Sequence, residues 1–187
     1  MYTFSGLNPE NFSDFEKLFG PRGACGGCWC MFWKLPHKDF ELLAGEGTHQ
    51  MQRSLVEQGL QPGILAYDGD LAVGWIAIEP RDAYPRLARS RVLKPVDDAE
   101  VWSVTCFFTA RAYRRRGVTV ELLQEAVKFV TAHGGKILEG YPVDARGANA
   151  PAPFVYTGLP GAFLKAGFVE VARFSPTRPI FRYTIKT

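Results

Sequence analysis

The sequence predicts an α/β (α+β) fold: a mixed sheet of about seven strands with about four helices packed on it, in the order β-α-α-β-β-β-α-β-α-β-β. Three stretches carry this reading. "GILAYDGDLAVGWIAIEP" (63–80) holds two apolar runs flanking Asp68-Gly69, a hairpin signal because the central residues of such a turn must tolerate positive φ. "EVWSVTCFFTA" (100–110) is rich in β-branched and aromatic residues and reads as a long strand. Beyond it, Leu123, Ala126, Val127 and Val130 repeat at helical spacing and Gly134-Gly135 close the helix, after which "KILEGYPV" (136–143) reads as a strand again. Residues 100–143 are thus a βαβ crossover. It should be right-handed, with its loop at the carboxyl end of the first strand, where α/β sheets bind ligands.

The remaining elements follow in order. "YTFS" (2–5) is a short first strand. "NPENFSDFEKLFG" (8–20) predicts a helix with Asn8 as N-cap, Pro9 at its first position, Phe12, Phe15, Leu18 and Phe19 on one face, and Gly20-Pro21 as its stop. Residues 21–36, "PRGACGGCWCMFWKLP", form an aromatic, cysteine-rich connection. A second helix is expected from Thr48 to Gly59 on an apolar stripe of Met51, Leu55 and Val56. Residues 81–95 have no clean period and predict a loop with a short turn of helix. "DARGANAPAPFVYTGLP" (144–160) reads as a Gly/Pro/Ala-rich loop, "GAFLKAGF" (161–168) as a short helix, and "VEVARF" and "IFRYTIK" as a last pair of strands.

Bulk properties narrow the function. The 187 residues suit one domain, 1–187, with a proper core. A net charge of +3, from 22 Lys+Arg against 19 Asp+Glu, argues against a nucleic-acid partner, whose binders carry a clearly basic face. No apolar segment approaches the roughly 18 residues a membrane span requires, and "MYTFSGLNPE" lacks the basic and apolar regions of a secretory signal. Cys25, Cys28, Cys30 and Cys106 are too few for a disulfide scaffold, so a reduced, cytoplasmic protein is expected.

"YRRRGVT" (113–119) poses the chemical question. Arg114, Arg115 and Arg116 stand at the N-terminal end of the main helix, where the dipole is already positive and cations are disfavoured. An anion would balance them. Helix N–H groups, an open backbone at Gly117 and forked guanidinium donors together suit a pyrophosphate; a solvated basic turn is the alternative. The chain has neither Gly-x-x-x-x-Gly-Lys-Ser/Thr nor a Gly-x-Gly-x-x-Gly after a strand, which disfavours the nucleoside-triphosphate and dinucleotide readings.

Strand, "TARAYRRRGVT" and long amphipathic helix resemble the acetyl-CoA motif of the GCN5-related N-acetyltransferases (GNAT), Arg/Gln-x-x-Gly-x-Gly/Ala. Arg114 stands at its first position, Gly117 at its central glycine, and Thr119 replaces its final small residue. "FLKAGF" (163–168) resembles the family's late helix, and the element order matches over essentially the whole chain. The resemblance implies a mixed, mostly antiparallel sheet. It also implies acetyl-CoA as co-substrate, with Phe107, Phe108 and Thr109 along the pantetheine and Arg114, Arg115, Arg116, Gly117, Val118 and Thr119 at the pyrophosphate. The expected activity is transfer of an acetyl group to the amine of a small molecule or peptide. A non-catalytic acyl-CoA sensor, or a zinc or redox module on the same fold, is the alternative. A homodimer is compatible with this reading.

Two departures bear on mechanism. The family's acidic tyrosine falls at Phe163 and its frequent glutamate at Ser103, and neither side chain can do that proton chemistry. Glu139 and Tyr141, two apart on a strand, are expected to share a face and to serve as base and acid, with Tyr156 as a third candidate. Cys106 is expected to be a small buried hydrophobe rather than an acylated nucleophile. Cys25-x-x-Cys28-x-Cys30 lacks the second ligand pair of a zinc site, although His37 lies nearby, and no bound metal is expected. The resemblance places the link between the first two helices over the acceptor site, which implies an aromatic acceptor pocket there, with Trp29 or Trp33 within reach of a cationic amine.

Overall fold

The computed structural model describes residues 1–145 and 154–186; residues 146–153, within the expected Gly/Pro/Ala-rich loop, lie outside the described residues. Seven strands form one sheet: β1 (Thr3–Gly6), β2 (Gly63–Asp68), β3 (Leu71–Pro80), β4 (Trp102–Thr109), β5 (Ile137–Gly140), β6 (Val169–Arg173) and β7 (Pro179–Thr184). Their order is β1-β2-β3-β4-β5-β7-β6. The β4–β5 pair is parallel and the others are antiparallel, so the sheet is mixed and mostly antiparallel as expected.

Helices cover both faces. On one face α5 (Val118–Ala132) buries Val118, Leu122, Leu123, Ala126 and Val130 against β2, β3 and β4, with α6 (Pro160–Lys165) beside it. On the other, α1 (Phe12–Phe19) buries Phe12, Phe15 and Phe19 against Trp75, with α3 (Glu46–Glu57) over it. Two short helices, α2 (His37–Leu43) and α4 (Pro85–Ala88), sit in the connections.

Several boundaries differ from expectation for local reasons. α1 starts at Phe12 rather than near Asn8, because the Asn8 and Asn11 side chains bond the intervening backbone: Asn8 Oδ1 accepts from Glu10 N at 2.9 Å, and Asn11 Oδ1 accepts from Asn8 N at 2.9 Å. Such side chains compete with the helix for its own donors. α3 starts two residues before Thr48, which is its third residue; Thr48 Oγ1 accepts from Gly45 N at 3.1 Å and donates to Gly27 O at 2.6 Å. Its buried face is Thr48, Gln52 and Val56, so the polar Gln52 hid the true stripe. α2 has no fully buried residue and therefore left no periodic signal. The hairpin turn is Gly69-Asp70, one residue later than expected, with φ +59° at Gly69 and Asp68 paired to Leu71. Positive φ at the first central position alone is the type II′ pattern.

Two irregularities shape the sheet's centre. β3 and β4 slip by one residue, Ala77 opposite Cys106 but Ile78 opposite Val104, leaving Thr105 as a bulge. Beyond it the faces invert: Val104 and Phe107 join the α5 core, while Cys106 and Phe108 turn toward α1. The second irregularity is the early end of β5. It pairs with β4 only from Trp102 to Val104, while β4 continues along β3 to Thr109. The expected strand to Val143 stops at Gly140, and the Phe163 ring, fully buried, lies where a Gly140 side chain would go. Gly140→Ala should cost about 1–3 kcal/mol through this overlap, lowering Tm by several degrees in thermal denaturation. An unchanged Tm would mean that the Phe163 ring is free to move aside.

Candidate active site

The parting of β4 from β5 leaves β4 residues 105–109 without a strand on one side. One group has entered this gap: Phe107 N donates to Tyr156 O at 2.6 Å. The gap lies beside the N-terminal end of α5, so the strand end, the arginine loop and the 155–157 segment meet at one place.

At that end Gly117 caps α5 in the left-handed conformation, φ +85° and ψ −5°. A side chain there would meet no protein atom within 4 Å, so the glycine serves the backbone angle and leaves the approach open. No side chain caps the helix, so its first N–H groups face outward. Arg114, Arg115 and Arg116 are exposed, and none is ion-paired among the described residues. Arg114 Nε donates to Thr109 O at 3.2 Å, folding the loop back on the strand end. Arg115 has φ +63°, an uncommon angle for a side-chain-bearing residue that tightens the turn into Gly117. Val118 is buried in the α5 core, Thr119 is half-buried, and of the strand residues Phe107 faces that core while Phe108 packs 5.1 Å from Phe19. Of the nine residues expected along the ligand, seven therefore sit on β4's free end or the loop after it, and Val118 and Thr119 open α5.

Glu139 and Tyr141 do come together, Tyr141 Oη donating to Glu139 Oε1 at 2.8 Å, but in the interior. Glu139 Oε1 also accepts from Arg81 Nη1 at 2.8 Å, and Oε2 accepts from Arg182 Nε at 2.7 Å. Tyr141 further accepts from Arg81 at 2.6 Å and shares a hydrogen bond with Ser103 at 2.8 Å. Both residues are 0% exposed. Burial, then the Glu139 charge, pushes the Tyr141 phenol up. The expectation of this pair as base and acid is corrected here: both carboxylate oxygens are occupied, and neither group reaches the gap. The pair is a structural fastening.

The face that borders the gap on the α1 side carries other groups. Glu79, at the end of β3, is ion-paired with Lys34 and is 7% exposed. Tyr84 stands between Glu79 and Thr105, and burial, followed by the Glu79 charge, raises its pKa well above the usual phenol range. Cys106, half-buried, neighbours Tyr84, Cys30 and the Tyr156 ring. Burial, then Cys106, raises the Tyr156 phenol as well. The Trp33 ring is 5.5 Å from Phe32, which stands edge-on to Tyr156 at 6.1 Å. Trp29, expected in an acceptor pocket, is instead core: 7% exposed and stacked on Phe19 at 5.8 Å. Glu79, Lys34 and Tyr84 carry no motif at sequence level, because only the fold brings residues 34, 79 and 84 together.

The cysteines diverge. Cys25 is exposed, Cys28 partly buried, and Cys30 buried, its sulfur accepting from Trp75 Nε1 at 2.8 Å. His37 pairs with Glu41 on α2. Among the described residues no group of three or more His, Cys, Asp or Glu is arranged to hold a metal ion.

A sheet that parts between its two parallel strands, next to an uncapped helix end with unpaired arginines, is laid out to take a long anionic ligand across its centre. The sequence profile of the acetyltransferase (GNAT) family matches residues 29–156, more than half of the chain, and the chain belongs to that family. No curated protein matches the sequence. Solved structures share the fold. A GNAT-family acetyltransferase from Listeria monocytogenes has a TM-score of 0.59 at 10% identity over 98% of this chain and 95% of its own. A putative GNAT acetyltransferase from Desulfovibrio desulfuricans has a TM-score of 0.56 at 15% identity over 98% and 99%. The PaiA N-acetyltransferase of Thermoplasma acidophilum, solved with coenzyme A, has a TM-score of 0.55 at 12% identity over 99% of both chains. No helix among the described residues is long and apolar enough to cross a membrane.

Two outcomes follow from this geometry. Glu139→Gln should destabilise the fold by about 3–5 kcal/mol, because two guanidiniums lose a buried counter-charge; chemical denaturation measures it, and a loss below about 1 kcal/mol would mean the arginines find other partners. Burial, then Cys30, pushes the Cys28 thiol up to about 11, so its thiolate appears only as pH rises toward that value. Alkylation of the native protein at pH 8 should therefore mark exposed Cys25 well before Cys28, and mass spectrometry of the peptides would read the order.

Proposed function

We propose that the protein is an N-acetyltransferase that moves the acetyl group of acetyl-CoA directly to the amine of a small molecule or peptide. The observation that carries this is the free edge of β4 ending at an uncapped, arginine-rich helix N-terminus. The pantetheine would lie along residues 107–109 as a strand substitute, and the pyrophosphate would sit on the N–H groups after Gly117 within reach of Arg114–Arg116. The Phe107 N–H, now bonded to Tyr156 O, is the donor suited to the thioester oxygen, so the Tyr156 carbonyl must give way to it.

Acetyl transfer forms a C–N bond as the C–S bond breaks. The ammonium loses one proton before attack and one after, the departing thiolate takes one up, and one is released. In our reading Glu79, through water, accepts the amine's proton, and the Tyr156 hydroxyl supplies the thiolate's. Both side chains belong to the cluster around Cys106, beside the gap. This assignment replaces Glu139 and Tyr141. The acceptor-binding face is the one lined by Trp33, Tyr84 and Tyr156.

Calorimetry and steady-state kinetics test the reading. Gly117→Asp, which adds bulk and negative charge at the phosphate position, should weaken acetyl-CoA binding at least about 10-fold, more than Arg115→Ala does. Glu79→Gln should lower kcat by about 10²-fold while leaving acetyl-CoA affinity unchanged. Unaltered binding by Gly117→Asp would reduce the arginine loop to a solvated turn and remove the main support for the activity.

A further inference from the structure

Three nitrogen donors on the acceptor side lack a well-formed hydrogen bond among the described residues although they are shielded from solvent: Arg86 Nη2, Arg178 Nε and Trp33 Nε1, the last directed at the Tyr156 hydroxyl. All three belong to residues that surround the Tyr156 side chain, at the mouth of the β4–β5 gap. Buried donors are rarely left unmatched, and each unmatched one is costly.

The charge is equally unmatched. Neither Arg86 nor Arg178 is ion-paired among the described residues. Arg86 is fixed by Nε donating to Leu35 O at 2.6 Å and by stacking 4.0 Å over the Phe32 ring. The carboxylate it senses, Glu41, is exposed and pairs with His37 instead. Arg178 Nη2 makes a long 3.4 Å bond to Tyr141 O, and its other neighbour is the Tyr156 phenol. Burial lowers both guanidinium pKa values, the mark of cations desolvated without a counter-ion. Elsewhere in this protein buried arginines are matched: Arg81 and Arg182 share Glu139. The contrast separates a fastening from a receptor. Rigid, forked, desolvated donors held on backbone carbonyls and an aromatic face are suited to a planar carboxylate.

We infer that Arg86 and Arg178, with the Trp33 N–H, bind a carboxylate on the acceptor, so that the amine acetylated belongs to an amino acid or to a peptide whose terminal carboxylate lies close to its amine. This rests on the acetyl-transfer reading above and specifies its acceptor. The Phe32 and Trp33 rings form the wall beside the carboxylate, which favours an apolar or aromatic side chain there.

The test compares ligands that differ only in the carboxylate. Acetylation is measured with phenylalanine against phenethylamine, and with Gly-Phe against its C-terminal amide. Binding to the CoA-loaded protein is measured by calorimetry with N-acetylphenylalanine against N-acetylphenethylamine. The carboxylate forms should be preferred by about 10–100-fold in kcat/KM and in affinity. Arg178→Gln and Arg86→Gln should each remove most of that preference without changing acetyl-CoA affinity, and Arg178→Lys should keep part of it. Thermal melts confirm that each variant is folded, and Arg178→Lys serves if a glutamine variant is not. The free amino acid and the dipeptide distinguish the two sources of carboxylate. Equal use of the decarboxylated amines, no binding of either product analogue, or a preference that survives both glutamine variants overturns the inference. Arginine-dependent carboxylate binding without any acetyl transfer would uphold the site and overturn the catalytic reading.

Discussion

The Glu139 carboxylate, buried between two arginines, is the interaction on which the site's geometry depends. Glu139 lies opposite Ser103 on β4 and opposite Arg182 on β7, so its position is set by two neighbouring strands at once. Its partners reach further. Arg81 Nη2 donates to Leu93 O, and Arg182 binds Asp97 through both terminal nitrogens, at 2.6 and 2.9 Å. One buried anion thus holds the 81–97 connection down on the sheet. Such an arrangement gains little over well-packed apolar residues, but losing one member is severe, because the remaining charges have no water to turn to. What it gains is a fixed place for α4, and with it Arg86, whose N–H reaches Trp33 O at 3.3 Å.

The same strand end explains the gap. β5 stops at Gly140, and the space a side chain on Gly140 would take is filled by Phe163, which packs with Phe107, Phe168 and Phe181. A tyrosine at 163 would place its hydroxyl inside this cluster of rings, a cost of about 1–3 kcal/mol without a partner. Phe163 is therefore a packing residue at the place where the two parallel strands part.

Periodicity made most of the fold legible. The hairpin, the crossover and α5 each bury one clean apolar face, and that is what a sequence pattern records. α2, with no fully buried residue, and α3, whose buried face includes Gln52, record less and were missed or displaced. The arginine loop was legible because its residues are contiguous and their charge contradicts the helix dipole. The acceptor side was not. Glu79 and Lys34, or Arg86 and Arg178, are far apart in the chain and meet only through tertiary packing. Glu139 and Tyr141 show the converse: they do share a face, but alternation along a strand says nothing of what lies beneath it, and two arginines lie there.

The charges then divide into two kinds. Arg81 and Arg182 are matched inside the protein and hold it together; among the described residues Arg86, Arg178 and Arg114–Arg116 have no ion-pair partner, and they flank the gap on either side. A cation that the fold leaves uncompensated raises the free energy of the unliganded protein, so binding an anion there recovers more than it would at a site already paired. On the proposed reading, cations at both ends of the gap favour two anionic ligands meeting at its centre, one carrying the thioester and the other the amine. For acyl transfer from a reactive thioester, holding the two reactants in contact accounts for much of the rate. On the proposed reading, strong proton-transfer groups at the reacting atoms are then less needed, which fits a site that uses Glu79 and Tyr156 on a scaffold whose most strongly held carboxylate, Glu139, fastens the fold.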